Sequence, residues 1–421
     1  MKNVISKVVE GNRCCGCGVC AGIADKCNLF MLFNNDGEYV PSVTDCNECG
    51  LCLSICPSNM IAENSLLVSP LGKGGIQNYI AYSNVFDERN IGSSGGMVTR
   101  ILHVLLEKKM VDGVVVIGSS KKKDRLFEPV IVRDPKELIN YSGSKYYPIE
   151  ISSIIEQMKG VEGSFAFVGL PCVIHGLRLV QKKIPKLGIK IKYLLGLVCG
   201  HNKNKNYTSA LLHYAHSDIN NVETVKYRCK EYTKKSSNFG FKGRMRDNAE
   251  TKQLNFQESI VRDLWCGRYF SLKACFNCKD LFAVGADISF MDAWLSPYFN
   301  EPRGTSIVIV RNTILDEIIH DESISKNIHL EEISEEKVLE SQESALDYKT
   351  KGMEKKYQSL TNMHISNILY SDEKRKRVFG LFILFIYICA SRVLNLFLNK
   401  IYLIIKHFKR FICLSLKKGE K

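Results

Sequence analysis

The sequence predicts a mixed α/β fold of the α+β class, because three regions of the chain differ in composition. Residues 1–62 contain nine of the 17 cysteines, which indicates a small metal-binding module. From Tyr79 onward, apolar strands alternate with apolar-periodic helices, as is typical of an α/β core. Beyond Lys374, basic clusters alternate with uncharged apolar runs, which predicts an amphipathic helical tail.

The net charge of +14 is concentrated at the C-terminus. Residues 374–421 hold twelve Lys and Arg but one acidic residue, so most of the excess belongs to the tail. The body shows no basic region with base-reading groups, and we expect no nucleic-acid partner. The N-terminus shows no secretory pattern and the cysteines suit a reducing compartment, so we expect a cytoplasmic location.

The module contains the run Cys46-x2-Cys49-x2-Cys52-x3-Cys56-Pro57, which is the bacterial ferredoxin signature for [4Fe–4S] clusters. The first three cysteines of such a run ligate one cluster and the fourth ligates the other. An earlier run has the matching spacing, and residues 34–37 predict a hairpin turn between the two. The predicted ligands of the first cluster are Cys14, Cys17, Cys20 and Cys56, and those of the second include Cys46, Cys49 and Cys52.

The fourth ligand of the second cluster is irregular. It should stand four residues after Cys20, where the sequence has Ala24. Cys27 is the candidate that replaces it from a displaced position. Two alternatives stay open: one intact cluster beside a degraded site, and zinc, whose sites usually pair two CxxC units across a longer loop. Cys15 is interpreted as a spectator.

Cysteines also stand where predicted strands of the core end. The apolar strand at 164–169 leads into Cys172, and the strand at 190–198 leads into Cys199. Cys275 and Cys278 form a further CxxC pair. Four thiolates make one cluster site if the fold gathers them, although buried free cysteines are common. The other predicted elements are a helix at 97–109, a strand at 111–118, a helix near 174–182, a strand-rich region at 222–260 and a charged helical connector at 331–370.

Three polar segments are candidates for cofactor binding. Residues 92–96, Gly-Ser-Ser-Gly-Gly, precede a helix, where backbone N–H groups and the helix dipole favour an anion. Residues 141–147 combine Lys145 with hydroxyls and aromatic rings, which suits a flavin ring or a substrate. Asp287 and Asp292 could orient a ribityl chain. The structural alternatives are an ordinary helix start, a surface loop and capping residues.

Together these segments resemble the coenzyme F420 hydrogenase/dehydrogenase beta-subunit family, in order, over roughly residues 10–312. The matching segments are 92–99, 144–146, 169–172, 199–202, 275–280, 286–294 and 304–306. The resemblance implies an FAD-containing iron–sulfur oxidoreductase, with the cluster nearest the flavin held by Cys172, Cys199, Cys275 and Cys278. Two or three [4Fe–4S] clusters are expected in all. Family members with an N-terminal ferredoxin module also look similar to proteins of bacterial surface-polysaccharide gene clusters.

The resulting prediction is an electron relay from the N-terminal clusters through a core cluster to FAD and on to a small-molecule substrate. The predicted cofactor-binding residues are Ser93, Ser94, Gly95, Gly96, Ser144, Lys145, Asp287 and Asp292. Lys145 and His201 are the predicted catalytic residues, the first for an anionic group or reduced flavin and the second as a proton source. The donor is expected to be ferredoxin or reduced coenzyme F420. The alternatives are an enzyme that uses reduced F420 directly and an electron-transfer adaptor for a membrane-bound partner.

The predicted domains are a cluster module (1–62), a linker (63–78), two core regions (79–165 and 166–345) and a connector with the tail (346–421). Within the tail, residues 378–390 carry no charge but are too few to span a bilayer, which needs about 20 apolar residues. Arg392 follows them. We therefore expect a peripheral helix at the inner face of the membrane, with a true span and a protein-docking helix as the alternatives.

Overall fold

An eight-stranded mixed sheet forms the centre of the computed structural model, which describes residues 5–25, 27–60, 76–257 and 260–351. The predicted tail and most of the predicted linker lie outside the described residues. No helix of the described part is long and apolar enough to cross a membrane. The strands are β1 (Leu29–Phe33), β2 (Tyr39–Val43), β3 (Gln77–Ser83), β4 (Gly113–Ser119), β5 (Phe127–Val132), β6 (Phe165–Gly169), β7 (Ile191–Leu197), β8 (Val222–Cys229), β9 (Gly240–Met245), β10 (Leu254–Asn255), β11 (Ile288–Asp292), β12 (Ser306–Val310) and β13 (Ile328–Glu332).

Helices cover both faces of this sheet, with short 3₁₀ turns in several connections. The helices are α1 (Val19–Gly22), α2 (Leu51–Ser54), α3 (Pro57–Met60), α4 (Phe86–Ile91), α5 (Met97–Glu107), α6 (Ser152–Gly160), α7 (Pro171–Lys183), α8 (Pro185–Gly188), α9 (Lys205–Tyr214), α10 (Ile260–Cys266), α11 (Thr313–His320), α12 (Glu322–Ser325), α13 (Glu335–Ser341) and α14 (Glu343–Lys351).

The sheet has the order β13-β3-β12-β11-β7-β6-β4-β5, and its four central strands, β11, β7, β6 and β4, are parallel. Their sequences are nearly continuous apolar runs because both faces of the sheet are covered. The outer strands pair antiparallel. The carboxyl ends of the parallel strands therefore meet at one edge, where ligands of open α/β sheets bind.

The predicted core elements are close to the observed ones. The strand and helix predictions around Cys172 correspond to β6 and α7, the strand before Cys199 to β7, and the helix after residue 96 to α5. The strand-rich region forms a separate antiparallel sheet of β8, β9 and β10. The predicted helical connector begins instead with the last residues of β13, which pairs with β3, and becomes helical at α13.

The cysteine-rich module packs directly on the core. Its α1 lies against α6 and α7, and apolar side chains from all three belong to one hydrophobic cluster. The approach is so close that a Cβ on Gly22 would lie 2.6 Å from the Cβ of Ile155. The backbone N–H of Ile151 donates to the carbonyl of Cys17 at 2.9 Å. The module and the core therefore fold around shared side chains, and both lie in the same compact unit of the chain.

Candidate functional site

Three cavities of the described structure are lined by the cysteines that the sequence singled out. We name them the outer, middle and inner sites. The outer cavity has a volume of about 110 Å³, the middle cavity about 10 Å³ and the inner cavity about 80 Å³. The outer site contains Cys27, Cys46, Cys49 and Cys52, the middle site Cys14, Cys17, Cys20 and Cys56, and the inner site Cys172, Cys199, Cys275 and Cys278. The twelve predicted ligands thus come together in the three predicted sets of four.

The thiols of the middle site are the most enclosed of the N-terminal module. Cys17, Cys20 and Cys56 are each 7–8% exposed. Burial raises the pKa of Cys14 and Cys20, and raises that of Cys56 to about 11. Four buried thiols become thiolates when a metal centre supplies compensating positive charge, because coordination deprotonates a thiol. This donor set fits a cluster.

The outer site brings Cys27 to the wall formed by the second cysteine run. The Cys27 thiol lies 3.6 Å from Oδ1 of Asn47, an oxygen that also accepts the backbone N–H of Cys49 at 3.3 Å. Ala24 lines the same cavity but offers no donor. Cys49 is exposed at the surface. Cys27 therefore lies in the same cavity as the three regular cysteines of the second run, where Cys20 is the other thiol of the wall.

The inner site forms at the edge where the parallel strands end. Cys172 is the second residue of α7, which starts shortly after β6, and Cys199 follows β7, so neighbouring strands lead to both thiols. The 3₁₀ turn at 273–276 adds Cys275, whose Sγ accepts the backbone N–H of Asn202 at 3.3 Å. Burial raises the pKa of Cys199 to about 11. Four thiols on a strand edge again fit a cluster rather than scattered core cysteines.

No group of three or more His, Cys, Asp or Glu side chains among the described residues is arranged to hold a single metal ion. A cubane cluster holds its four thiolates further apart than one ion does, because the iron and sulfide atoms stand between them. The cavities between the cysteines, and not a single shared metal position, are therefore where clusters would sit.

Adjacent sites share wall residues. Cys20 lines both the outer and the middle site, whereas Cys15 and Ser58 line both the middle and the inner site. The Cys15 thiol is within hydrogen-bonding reach of Cys17 and Cys172, and these contacts lower its pKa. Sequence reasoning interpreted Cys15 as a spectator because adjacency along the chain does not show what faces it from the core. The three sites are thus contiguous.

A set of charged residues around the inner site was not found from sequence. Lys349 of α14 donates from Nζ to the Cys278 Sγ at 3.3 Å. The Asp280 carboxylate, 1% exposed, lies 2.7 Å from Nε2 of His175.

The predicted residue His201 also lines the inner cavity, and its Nδ1 lies 2.8 Å from a guanidinium nitrogen of Arg268. That contact makes Nδ1 the acceptor, so the proton of the neutral ring belongs on Nε2, which is buried without a partner among the described residues. Burial lowers the pKa of His201 well below its usual value.

The predicted cofactor-binding segments meet at the start of α5, where Gly96 has φ of 80° in the left-handed region. Three contacts join them: the N–H of Ser144 donates to Oγ of Ser93 at 2.6 Å, Oγ of Ser94 to the carbonyl of Thr305 at 2.8 Å, and the N–H of Gly95 to Oγ of Ser306 at 3.0 Å. The sequence segments 92–96, 144–145 and 304–306 therefore form one surface at the carboxyl edge of the sheet.

Two lysines lie beside this surface. Nζ of Lys145 donates to the carbonyls of Tyr141, Ser142 and Gly143, and burial lowers its pKa to about 8. Lys230, which sequence reasoning missed, donates to the carbonyl of Ser94 at 2.8 Å, and burial lowers its pKa to about 7. Both ammonium groups thus hold the loops in shape as well as adding positive charge.

The two predicted aspartates lie at opposite ends of β11. Asp292 is the last residue of β11, at the carboxyl edge of the sheet, and Nη1 of Arg228 lies 2.8 Å from its carboxylate. Asp287 precedes the strand, accepts the N–H of Leu194 at 2.8 Å and pairs with Arg178 at 2.8 Å. The structure therefore groups Asp292 with the other candidate residues but leaves Asp287 at the far end, where it holds β7 and β11 together.

Aromatic rings connect the inner site with the surface at α5. The ring of His201 lies 4.7 Å from Trp265, which lies 4.4 Å from Tyr146 between centroids. Tyr146 is in hydrogen-bonding contact with Arg228, the partner of Asp292. Half-buried aromatic side chains thus connect a cysteine-lined cavity with the predicted cofactor surface.

Comparison with known proteins gives two matching family models, both for the beta subunit of coenzyme F420 hydrogenase/dehydrogenase. The model for its N-terminal part matches residues 79–156, and the model for its C-terminal part matches residues 163–336. Together they match more than half of the chain. Both inner-site strands and the α5 surface lie within the matched residues.

Several curated proteins are similar to the chain. A coenzyme F420-dependent sulfite reductase from Methanocaldococcus jannaschii is 25% identical over 78% of this chain and 49% of its own length. A chloroplastic 7-hydroxymethyl chlorophyll a reductase from Oryza sativa subsp. japonica is 27% identical over 48% of this chain and 49% of its own length. The coenzyme F420 hydrogenase subunit beta from Methanothermobacter thermautotrophicus is 26% identical over 55% of this chain and 75% of its own length. The chain spans about half the length of the first two relatives.

A chain of the F420-reducing [NiFe] hydrogenase complex from Methanosarcina barkeri has a similar structure. The TM-score is 0.50 at 17% sequence identity, and the match covers 69% of this chain and 93% of the solved chain. At that identity the likeness shows the fold, which agrees with the mixed α/β prediction.

Proposed function

Since the chain belongs to the coenzyme F420 hydrogenase/dehydrogenase beta-subunit family, we propose that it is an iron–sulfur flavoprotein oxidoreductase. Electrons enter at the outer site, pass through the middle and inner sites, and reach FAD at the start of α5, which reduces a small-molecule substrate. The named relatives with assigned activities are oxidoreductases, which supports this class of reaction.

The contiguity of the three cysteine sites is the observation that carries the proposal. Cys20 is common to the first two cavities and Cys15 to the last two, so electrons have short steps between neighbouring clusters. The direction follows from exposure. Cys49 of the outer site is exposed, whereas the four cysteines of the inner site are half-buried and lie beside the aromatic residues that lead to α5.

The surface at α5 suits an anionic aromatic cofactor. The N-terminus of this 11-residue helix presents its dipole, and Lys145 and Lys230 add positive charge. Oδ1 of Asn90 and Nε of Arg228, both buried, have no partner among the described residues near this surface. FAD, when bound, would convert single electrons into hydride-equivalent chemistry. The protein residues would hold its phosphates at residues 93–96, place Ser144 and Asp292 near its polar groups, and exclude water with Tyr146 and Trp265.

A second candidate is a reductase that takes its electrons from reduced coenzyme F420. The names of the related sulfite reductase and hydrogenase beta chain favour this donor. Under this alternative, the surface at α5 would hold the flavin that accepts hydride from reduced F420, and the three cysteine sites would hold the clusters that pass the electrons to an acceptor. A role in surface-polysaccharide biosynthesis rests on the family resemblance of the sequence alone. An adaptor role for a membrane-bound partner rests on the basic tail at residues 374–421, which lies outside the described residues.

Anaerobic purification and metal analysis test the clusters. Three filled sites predict about twelve iron atoms and about twelve acid-labile sulfides per chain, at about four of each per cluster. We expect Cys49→Ala, Cys56→Ala and Cys275→Ala each to lose the iron and sulfide of one cluster. Cys229→Ala is the matched control, because Cys229 lines none of the three sites. Zinc in place of iron, or iron that no variant lowers, would contradict the proposal.

Rapid mixing tests the order of transfer and the donor. After mixing with reduced ferredoxin, Cys275→Ala should still show bleaching of its remaining clusters, but its flavin should stay oxidised. Reduced F420 should reduce the flavin in this variant only if the second candidate is right. Chromatography of the released cofactor should identify it as FAD. The absence of any flavin from iron-replete protein would contradict the proposed flavin site.

A further inference from the structure

Helix α14 covers the inner site and lies beyond residue 336, where the match to the family models ends. Its Tyr348 packs against Phe276, which stands between the two cysteines of the CxxC pair, at 6.4 Å between ring centroids. The guanidinium carbon of Arg268 lies 3.2 Å from the centroid of the Tyr348 ring. These contacts hold α14 against the loop that supplies two of the four inner-site thiols.

The residues just before α14 are fastened to the carboxyl edge of the sheet. Oγ of Ser341 accepts the backbone N–H of Trp294 at 2.9 Å, and Nε2 of Gln342 donates to the carbonyl of Asp292 at 3.0 Å. The helix is therefore fixed at its start as well as along its length, which determines where its side chains lie relative to the cysteines.

Lys349 is the residue that α14 places at the inner site. Its side chain is buried, with 6% of the residue exposed. Nζ donates to the Sγ of Cys278 at 3.3 Å, to the carbonyl of Cys278 at 3.4 Å and to the carbonyl of Asp280 at 2.8 Å. The carboxylate of Asp280 is directed to His175 instead. The ammonium therefore faces sulfur and carbonyl groups, and the thiolates of a filled site would balance its charge.

A buried cation with an N–H···S bond changes the electrostatics of an iron–sulfur cluster. Four thiolates make the centre anionic, and reduction adds one more negative charge. Hydrogen bonds to the ligand sulfurs and nearby positive charge stabilise the reduced form more than the oxidised form. A cation placed in this way favours reduction at its own cluster over reduction at its neighbours.

We propose that Lys349 is a positioning residue that raises the reduction potential of the inner cluster and so draws electrons inward from the middle cluster. This inference rests on the proposed function. In the step concerned, the middle cluster loses one electron and the inner cluster gains it, and the fixed ammonium stabilises the added charge.

Redox titration of anaerobic protein, followed by electron paramagnetic resonance, tests the inference. Lys349→Met keeps the length of the side chain and removes its charge and its donor. We expect the equilibrium constant for reduction of the inner cluster to fall about tenfold, which is about 59 mV for a one-electron couple. Lys349→Arg should stay close to the wild-type potential. Lys337→Met is the matched control, because Lys337 lies exposed on α13 and pairs with Glu340.

The inner-cluster signal is assigned beforehand by its loss in Cys275→Ala. An unchanged inner potential in Lys349→Met with full iron content would overturn the role of Lys349 and leave the relay standing. If Lys349→Met does not retain the cluster, Lys349→Gln and Lys349→Arg decide: a lower potential in the glutamine variant supports the charge, and equal potentials refute it. A wild-type protein with no signal that depends on Cys275 would overturn the relay, and this inference with it.

Discussion

Replacing Cys27 by alanine should remove the outer cluster and leave the other two. Five cysteines line the outer site; Cys20 is assigned to the middle cluster, and Cys27 is the one of the other four that is outside the regular ferredoxin spacing. Without it, three ligands remain on the exposed side of the module, and Ala24 offers no substitute. Since each filled site holds about four iron atoms, the iron content should fall by one third, from about twelve to about eight per chain.

The assay is iron and acid-labile sulfide per chain after anaerobic reconstitution, with electron paramagnetic resonance of the reduced protein. Cys229→Ala controls for the loss of a cysteine elsewhere. The double variant Ala24→Cys/Cys27→Ala is the sharper test, because residue 24 lines the same cavity at the regular ligand position. It should recover the lost iron. Full iron and an unchanged spectrum in Cys27→Ala would refute the assignment of Cys27 as the fourth ligand.

Three further predictions concern stability. Gly22→Ala should lower the free energy of unfolding by about 1–3 kcal/mol in urea, because the new methyl overlaps α6; Gly160→Ala, which meets nothing within 4 Å, should cost nothing. Arg228→Met should destabilise the protein by about 3–5 kcal/mol in the same assay, since it leaves its partly buried aspartate unpaired. The half-exposed ion pair of Arg244 should contribute under about 1 kcal/mol, so Arg244→Met should change the free energy of unfolding much less. Equal losses of unfolding free energy in Arg228→Met and Arg244→Met would contradict this reasoning. Burial raises the pKa of Glu38 from 4.5 to about 7, so the folded state binds the proton more tightly. Its contribution to stability is complete below pH 4.5 and is lost as the pH rises toward 7, and Glu38→Gln should remove that slope from urea midpoints measured across the range.

The fold was largely predictable because its strong elements are local patterns. Apolar runs that end at Cys172 and Cys199 indicate buried strands, and the structure forms them as adjacent parallel strands. Parallel order then places both cysteines at one edge. The close packing of the module on α6 was not predictable, since it depends on Gly22 meeting Ile155, and neither residue is unusual in its own segment.

The two N-terminal cysteine sets were predicted from spacing and the inner set from strand ends, a CxxC pair and the family resemblance, whereas the surroundings of all three were not predictable. Lys349 is one lysine among many in a charged helix, and nothing local marks it as buried against Cys278. Asp287 and Asp292 belong to one block of the family resemblance, but an extended strand rises about 3.3 Å per residue and places them at opposite ends of β11. Hydrophobic periodicity and residue spacing predict secondary-structure elements. Contacts between distant segments of the chain decide which residues form a site.

The N-terminal module supplies part of the wall of the inner site, through Arg13, Cys15 and Ser58. A cavity walled in this way depends on both parts of the chain. Its four predicted ligands come from the core, whereas three of its wall residues come from the module, so loss of the module would leave the ligands in place and expose them to solvent.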